Sequence, residues 1–233
     1  MKKLSILMAV IMLFCVCLAG CGEEGKKTSS NGSEYMDNDE VTRSFDANEV
    51  LSQLNVKTYE YDAGEDISPN RQIYIVVENT SEFNIKLSSK LTTYNDNNAI
   101  VEVETRQIGY LEAGQKAVVY YDYLDKYSSF DYTITPEQHS ANYLATSNIS
   151  YDIVETENSR FFVTATNNND FVADVWGTMF FYRNGVLTKV QRLKFGDGGI
   201  GKGVSSTNEF YVTLGSTDVN YTYEFVLEAD RWY

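Results

Sequence analysis

The stretch NTSEF, residues 79–83, decides the fold, because it separates two segments in which apolar residues recur at every second position. Before this turn, residues 73–77 (IYIVV) place isoleucine and valine on one face of a predicted strand. After it, residues 83–87 (FNIKL) alternate between apolar and polar side chains. A period of two is typical of strands that bury one face, so the pattern predicts an antiparallel sheet.

The same order of strands and turns returns in the second half of the chain. Residues 167–171 (NNNDF) match NTSEF, and Tyr182 matches Tyr94 at the same spacing. Gly203 matches Gly114 with one extra residue inserted. The repeat predicts an all-β protein with two tandem antiparallel β-sandwich domains. Their bounds are 45–135 for the first domain, 136–146 for a linker and 147–233 for the second domain.

One short helix is predicted before the first sandwich, at residues 46–54. Asp46 is a suitable N-cap, and Glu49 follows three residues later as in a capping box. Val50, Leu51 and Leu54 share one face of this helix. We expect that face to close one end of the first domain.

Five segments carry a family resemblance: VVENTS (76–81), LTTYND (91–96), LEAGQ (111–115), ATNNN (165–169) and FFYRNG (180–185). This pattern resembles the FxLYD-type repeats of exported lipoproteins of Gram-positive bacteria, which are small immunoglobulin-like sandwiches. The dipeptide Tyr-Asp of that family is replaced in both copies, by Tyr94-Asn95 and Tyr182-Arg183. The resemblance implies immunoglobulin-like domains and an exported setting, and it brings no catalytic residue with it.

The N-terminus carries a targeting pattern. Lys2 and Lys3 precede an apolar run that ends in LAGC, residues 18–21. Basic residues, an apolar core and small residues in this order predict a secretory signal over residues 1–20. The cysteine at the cleavage point resembles a bacterial lipoprotein signal, which implies that Cys21 is lipidated and becomes the first mature residue. A membrane-spanning helix is the alternative, but a polar, glycine-containing segment follows the run.

Residues 21–44 are polar and nearly free of aliphatic side chains, so they predict a flexible tether with a span of roughly 25 Å. The chain has 3 cysteines, of which Cys15 and Cys17 lie in the predicted signal and Cys21 is the predicted lipid site. The mature domains therefore fold without disulfides, on their apolar cores alone. The predicted location is the extracytoplasmic face of the cell membrane, with attachment through lipid.

The formal net charge of −14 argues against a nucleic-acid partner and against charge-driven binding to anionic lipid, since both select basic surfaces. The motif GDGGIGK, residues 196–202, has the spacing of a phosphate loop. Gly203 stands where such a loop needs Ser or Thr, and a strand pattern follows instead of a helix. We therefore predict a turn and no nucleotide.

Histidine chemistry and metal chemistry are not supported. His139 is the single histidine and lies in the predicted linker, where we expect it to be solvated. The turns at 95–98 and 167–170 offer oxygen ligands of the kind that calcium takes, but Asn and Asp are also the residues that turns prefer. No spacing singles out a pair of carboxylates for glycoside hydrolysis. The sequence predicts no enzyme, no cofactor and no metal.

One strand face is the candidate binding surface. Val172, Trp176, Phe180 and Tyr182 fall on the side of a strand opposite to its predicted core face. A strand that is apolar on both faces is either covered within the protein or exposes a patch that binds a partner. The cover would be the other domain or the C-terminal residues Trp232 and Tyr233.

These patterns predict a lipid-anchored, non-catalytic binding or assembly module of the cell envelope, whose partner is a protein or a glycan. A solute-binding lipoprotein associated with a transporter is the alternative. Such proteins are usually larger two-lobed α/β folds, which the strand-rich pattern disfavours.

Overall fold

The alternating segments of the sequence pair into antiparallel sheets in the computed structural model, which describes residues 44–62, 71–140, 143–156, 160–212 and 221–232. These residues form two β-sandwich domains, and each sandwich consists of two three-stranded sheets. The all-β prediction is therefore confirmed.

The first domain begins with one short helix, α1 (Ala47–Ser52). Its strands are β1 (Leu54–Asp62), β2 (Arg71–Asn79), β3 (Ile85–Tyr94), β4 (Ile100–Leu111), β5 (Lys116–Tyr121) and β6 (Ser129–Gln138).

The second domain begins with a single 3₁₀ turn (Thr146–Asn148). Its strands are β7 (Ile149–Thr156), β8 (Arg160–Asn167), β9 (Ala173–Arg183), β10 (Val186–Ile200), β11 (Ser205–Tyr211) and β12 (Tyr221–Arg231).

The two domains have the same topology. The sheets of the first domain have the strand orders β1-β2-β5 and β4-β3-β6. Those of the second have the equivalent orders β7-β8-β11 and β10-β9-β12. Every strand of the first domain thus has a counterpart in the second, which confirms the repeat that the turn sequences predict.

A buried asparagine holds the turn between the two sheets in each domain. In the first domain Asn79 is fully buried; its Nδ2 donates to the carbonyl oxygen of Phe83 (2.8 Å), and its Oδ1 accepts from the N–H of Ser81 (3.1 Å). The N–H of Gly114 donates to the carbonyl oxygen of Asn79 (2.7 Å), and Gly114 has a φ of +77°, which favours glycine.

Asn167 repeats this arrangement in the second domain. Its Nδ2 donates to the carbonyl oxygens of Phe171 and Ile200, both at 2.7 Å. Its Oδ1 accepts from the N–H of Asn169 (2.9 Å), and its carbonyl oxygen accepts from the N–H of Gly203 (2.7 Å). Because a buried amide without partners is costly, this residue ties the turn, the end of β10 and the glycine loop together.

Each sandwich has its own core, filled by the inner faces of its two sheets. In the first domain the residues at alternate positions on β2 and β3 are buried there, including Ile73, Ile75, Val77, Ile85 and Leu87. In the second domain the inner positions of β8 and β9 fill the core, including Phe161, Val163, Val175, Met179 and Phe181.

The helix prediction is correct in its cap and wrong in its extent. The Oδ1 of Asp46 accepts from the N–H groups of Asn48 (2.8 Å) and Glu49 (3.3 Å), and Val50 is buried in the first core. The helix ends before Leu54, which already begins β1, and Leu51 remains exposed. The strand begins early because Leu54 pairs with Asn79 at the edge of the sandwich.

Two further expectations differ from the structure. Residues 136–138 of the predicted linker belong to β6, where Pro136 pairs with Leu87 of β3. On β4 the alternation of Val101 and Val103 with Glu102 and Glu104 predicts that the valines face the core. The faces are inverted, because Glu102 lies opposite the buried Thr93, while Val103 is 48% exposed. β4 is the outermost strand of its sheet, so its inward carboxylates lie at the open side of the sandwich.

A third cluster joins the two domains. The outer face of the sheet β1-β2-β5 packs on the outer face of the sheet β10-β9-β12, and the buried residues of the contact are Tyr74, Val76, Val118, Phe180, Val190 and Val226. A second, polar contact supports it: the buried carboxylate of Glu112 accepts hydrogen bonds from the N–H groups of Thr146 and Ser147. The domains are therefore joined by an apolar contact and by a polar one.

Candidate binding site

Strand β9 has a core face and an outer face. Val175, Met179 and Phe181 of its inner positions belong to the core of the second domain. The alternate residues from Asp174 to Tyr182 lie on the outer face, which is the face that the sequence singles out. The two ends of this outer face have different surroundings.

The first domain covers one end. Phe180 is fully buried, and its ring centroid lies 4.8 Å from that of Tyr59 and 5.7 Å from that of Tyr74. Tyr182 is half-buried, with its ring centroid 6.3 Å from that of Tyr59. Cover by the other domain, one of the two sequence alternatives, thus accounts for this end. Phe180 is unavailable to an outside partner because tyrosines of β1 and β2 occupy its surface.

Charged and polar groups surround this apolar contact. The hydroxyl of Tyr59 donates to Oε2 of Glu224 (3.0 Å), and the Nζ atoms of Lys57 and Lys116 lie 3.6 Å and 3.8 Å from Oε1 of the same carboxylate. Burial raises the pKa values of Tyr59 and Tyr74, so both phenols remain neutral at physiological pH. The contact is apolar at its centre and polar at its rim, as in other stable interfaces.

The other end of the face opens into a cavity of about 330 Å³ between the domains, which we call the cleft. Its walls are residues 106–110 of β4, residues 118–120 of β5 and residues 228–230 of β12, together with Asp174, Trp176 and Arg192. The half-buried ring of Trp176 is thus brought to a cavity. The predicted residue Val172 is not part of this wall; it is 40% exposed and its carbonyl oxygen accepts from the N–H of Trp232 (2.9 Å).

An ion pair lies at the base of the cleft. The guanidinium of Arg192 pairs with the carboxylate of Glu228 and donates to Oγ1 of Thr178 (2.8 Å). Glu228 also accepts, through Oε2, from the N–H of Val118 on β5 (2.8 Å). The pair therefore connects the second domain to the edge strand of the first, and both of its side chains are mostly buried.

Aromatic rings flank this ion pair. The Cζ atom of Arg192 lies 5.0 Å from the ring centroid of Trp176 and 5.5 Å from that of Tyr120. Nζ of Lys194 lies between Trp176 (5.7 Å) and the exposed ring of Trp232 (4.1 Å). These distances are those of cation–π contacts, which orient the rings and the cations together.

The charges at the rim are also paired. Lys194 lies 2.8 Å from Oδ1 of Asp174. Arg106 pairs with Glu104 and with Asp122, the latter at 3.3 Å. Burial raises the pKa of Glu104, while the charge of Arg106 opposes this effect.

The glycine-rich motif at residues 196–202 shapes the backbone of β10 and the turn that follows it. Gly196 and Gly199 have φ values of +71° and +79°, and the pairing of β10 with β9 is interrupted between Phe195 and Ile200. The motif is therefore a β-bulge within β10, followed by the turn that leads to β11. The predicted turn is therefore shorter than the motif, because residues 196–200 belong to β10 and only 201–204 form the turn. The chain continues as a strand after it, as the sequence predicts.

The single histidine is less solvated than expected. The ring of His139 is half-buried and packs edge-on against Tyr110, with ring centroids 5.0 Å apart. Burial and the charge of Lys86 lower its pKa. Its backbone N–H donates to the carbonyl oxygen of Asn84 (2.9 Å), which holds this part of the linker against the first domain.

The asparagine-rich turns use their side chains to close themselves. Oδ1 of Asn95 accepts from the N–H groups of Asn97 (2.9 Å) and Ala99 (3.1 Å), and Oδ1 of Asn167 accepts from Asn169. Among the described residues no group of three or more His, Cys, Asp or Glu side chains has the geometry to hold a metal ion.

The sequence did not reveal the partner of the β9 face. The run IYIVV at residues 73–77 is buried on both faces of β2, and a strand that is apolar at every position is the signal that a second layer covers it. The cleft itself has no comparable signal, because its walls come from distant parts of the chain.

The predicted lipid site Cys21, the signal at 1–20 and most of the tether at 21–44 lie outside the described residues. Within the described ranges, no helix has the length and hydrophobicity that crossing a membrane requires.

No protein family and no curated protein matches this sequence. Among solved structures, red sea bream transglutaminase matches with 9% identity and a TM-score of 0.25; the match covers 77% of this chain and 31% of the transglutaminase chain. The tandem CBM22-1-CBM22-2 domain of Paenibacillus barcinonensis Xyn10C matches with 9% identity and a TM-score of 0.16, over 76% and 84% of the two chains. At such TM-scores neither match carries an argument about function.

Proposed function

We propose that this protein is a lipid-anchored, extracytoplasmic, non-catalytic binding module, and that its ligand site is the cleft between its two immunoglobulin-like sandwiches. One observation carries the binding role. The first domain covers the Phe180 end of the β9 face, whereas the Trp176 end borders a cavity of about 330 Å³. Cavities of about 300 to 1,000 Å³ with convergent polar groups are typical of small-molecule sites.

The anchor is supported by the sequence of the N-terminus. LAGC at residues 18–21 follows an apolar run and two lysines, and a lipidated Cys21 would carry a diacylglyceryl group. Two acyl chains give lasting attachment, at about 0.8 kcal/mol for each buried CH₂. The FxLYD-type resemblance supports the same exported setting and the lipoprotein class.

A non-catalytic role is supported by the state of the charged groups. The two arginines that line the cleft each contact a carboxylate, Arg192 with Glu228 and Arg106 with Asp122. Arginine keeps its proton at physiological pH, so Arg192 and Arg106 are suited to positioning a ligand and not to proton transfer.

Labelling with palmitate tests the anchor. In a Gram-positive host we expect the wild-type protein to incorporate the label and the Cys21→Ser variant to lose it, because lipid attaches only to that thiol. Label that persists in Cys21→Ser, or a mature wild-type N-terminus upstream of residue 21, would refute the anchor.

Thermal unfolding with a chemically mixed panel tests the cleft as a binding site. The panel contains neutral sugars, amino acids, amines, phosphates and short peptides, added to the full chain in detergent. A ligand at about 100 times its Kd stabilises a protein by about 2.7 kcal/mol. We expect at least one class to raise Tm in the wild type and in the control Tyr132→Ala, whose ring is exposed on β6, but not in Trp176→Ala. Equal shifts in all three proteins, or none, would contradict the proposal.

A solute-binding role in transport is the second candidate, because the cavity lies between two domains. Such proteins close around their ligands by hinge motion. Here the Glu112 and Glu228 carboxylates each bond to a backbone N–H of the other domain, so we expect no closure. A radius of gyration that falls when ligand binds, measured by small-angle scattering, would favour the transport role instead.

A further inference from the structure

The outermost strands of three sheets border the cleft. β4, β5 and β12 are each the outermost strand of their sheet, and all three contribute to the wall. An outermost strand presents alternating N–H and C=O groups on its unpaired side. The cleft is therefore bordered by backbone donors and acceptors in addition to its side chains.

These edges are obstructed for an extended peptide. Glu228 occupies the N–H of Val118 on β5, and the Thr146 hydroxyl occupies the N–H of Ala229 on β12 (2.9 Å). On β4, a Cβ at Gly109 would lie 3.2 Å from Oδ2 of Asp230, so this carboxylate crowds the edge there. A peptide that adds a strand needs several consecutive backbone pairs, and each of the three edges is obstructed at one position beside the cleft.

The electrostatics of the cleft favour an uncharged ligand. Arg192 is paired with Glu228, Lys194 with Asp174, and Arg106 with Asp122. An anionic ligand would have to replace one of these partners, and separating the buried pair Arg192–Glu228 is costly. A cationic ligand would meet the same three cations, and the further wall carboxylate, Asp230, already accepts from the hydroxyl of Tyr143 (2.8 Å). A neutral ligand can use the remaining hydrogen-bonding capacity of the same groups without separating any pair.

The aromatic residues of the cleft also constrain the shape of the ligand. Trp176 is half-buried and Tyr120 is 36% exposed, and the Arg192 guanidinium lies within 5.5 Å of both ring centroids. Planar guanidinium and carboxylate groups beside aromatic rings suit a ligand that has apolar C–H faces and a hydroxyl-rich rim. A cavity of about 330 Å³ has room for one or two sugar rings.

We propose that the cleft between β4, β5 and β12 binds a neutral glycan, with its sugar ring against Trp176 and its hydroxyl groups bonded to the polar groups of the wall. This inference rests on the proposed function, because it names the ligand class of the same site.

Calorimetric titration of the full chain in detergent tests this ligand class. The probes are neutral disaccharides of glucose, mannose and N-acetylglucosamine, with glucuronic acid, glucosamine and an uncharged extended hexapeptide as comparisons. We expect saturable binding of at least one neutral disaccharide and at least tenfold weaker binding of the charged sugars and the peptide.

Two variants locate the site. We expect Trp176→Ala to weaken disaccharide binding at least tenfold and Trp176→Phe to retain part of it, because a smaller ring still offers an aromatic face. The control Tyr132→Ala should bind as the wild type does. If Trp176→Ala fails to fold, Trp176→Phe alone must bind more weakly than the wild type.

The inference fails if no neutral disaccharide binds, if a charged sugar or the peptide binds equally well, or if Trp176→Phe and Trp176→Ala bind as the wild type does. Its failure is distinguishable from failure of the proposed function. A peptide or amine whose thermal shift depends on Trp176 would support a binding cleft and overturn only the glycan, whereas the palmitate label reports on the anchor alone.

Discussion

Truncating Phe180 to alanine should destabilise the protein by about 3–5 kcal/mol, the usual cost of deleting a fully buried phenylalanine ring. The side chain is 0% exposed, and its ring packs against Tyr59 at 4.8 Å and Tyr74 at 5.7 Å between centroids. Aromatic pairs of this kind contribute about 0.5–1.5 kcal/mol each beyond the area that they bury. Both partners lie on the other domain, so the loss falls on the contact between domains.

The two cores do not contain Phe180 and should survive its truncation. Since about 1.4 kcal/mol corresponds to a factor of ten, the docking equilibrium should weaken by about two to three and a half orders of magnitude. The wild type should then unfold in one transition, whereas Phe180→Ala should show two, because each sandwich unfolds separately.

Urea unfolding followed by circular dichroism and tryptophan fluorescence measures both effects. Phe162→Ala is the matched control, because this phenylalanine is half-exposed on the outer face of the opposite sheet; it should cost about 1 kcal/mol. A double-mutant cycle with Tyr74→Ala should give a coupling energy within the range of about 0.5–3 kcal/mol that contacting residues show. Equal costs for Phe180→Ala and Phe162→Ala, together with zero coupling to Tyr74, would refute the docked arrangement.

Three further predictions concern the two buried asparagines, the bulge in β10 and His139. Asn79→Ala and Asn167→Ala should each destabilise the protein by roughly 2–5 kcal/mol in urea unfolding. Each truncation leaves the buried polar partners of the amide unpaired, at a cost of about 1–3 kcal/mol apiece. Near-neutral effects would contradict the role of the buried amides. Gly199→Ala should lower the free energy of unfolding by more than the roughly 1–3 kcal/mol that a strained backbone conformation costs. Its φ is +79°, and the added Cβ would lie 2.8 Å from a carbonyl oxygen. Gly198→Ala, whose Cβ would meet open space, should be tolerated, and similar Tm values for both variants would argue against the bulge. The pKa of His139 is lower in the folded protein, so the unfolded chain binds a proton at this residue more readily. Stability should therefore fall as pH drops through about 6.5. In His139→Gln the Tm should fall less over this range, and identical pH profiles of Tm for the two proteins would exclude the effect.

The repeat was predictable because its signals are local. A period of two in FNIKL and the asparagine of NTSEF are visible within a few residues, and Asn79 and Asn167 hold equivalent turns. The glycine that each asparagine carbonyl contacts also recurs in order, as Gly114 and Gly203. Local turn chemistry together with strand periodicity thus predicts this topology.

The interdomain contact was only half predictable. The outer face of β9 was visible as apolar, and so was the continuous run IYIVV of β2, but neither pattern states that the two faces meet. Pairings such as Val118 with Glu228 join positions far apart in the chain, and spacing carries no information about them. The inverted faces of β4 have a similar origin, because the inward carboxylate of Glu104 pairs with Arg106, which lies on the same outermost strand.

The most direct measurement of the central claim uses Trp176 as its own reporter. In the Trp232→Phe chain, Trp176 is the only remaining indole. Titrating this chain with the neutral disaccharide that binds best by calorimetry should change the fluorescence emission saturably, with the same Kd as the calorimetric one. Emission that stays constant over concentrations at which calorimetry detects binding would place the ligand elsewhere and contradict the cleft as the site.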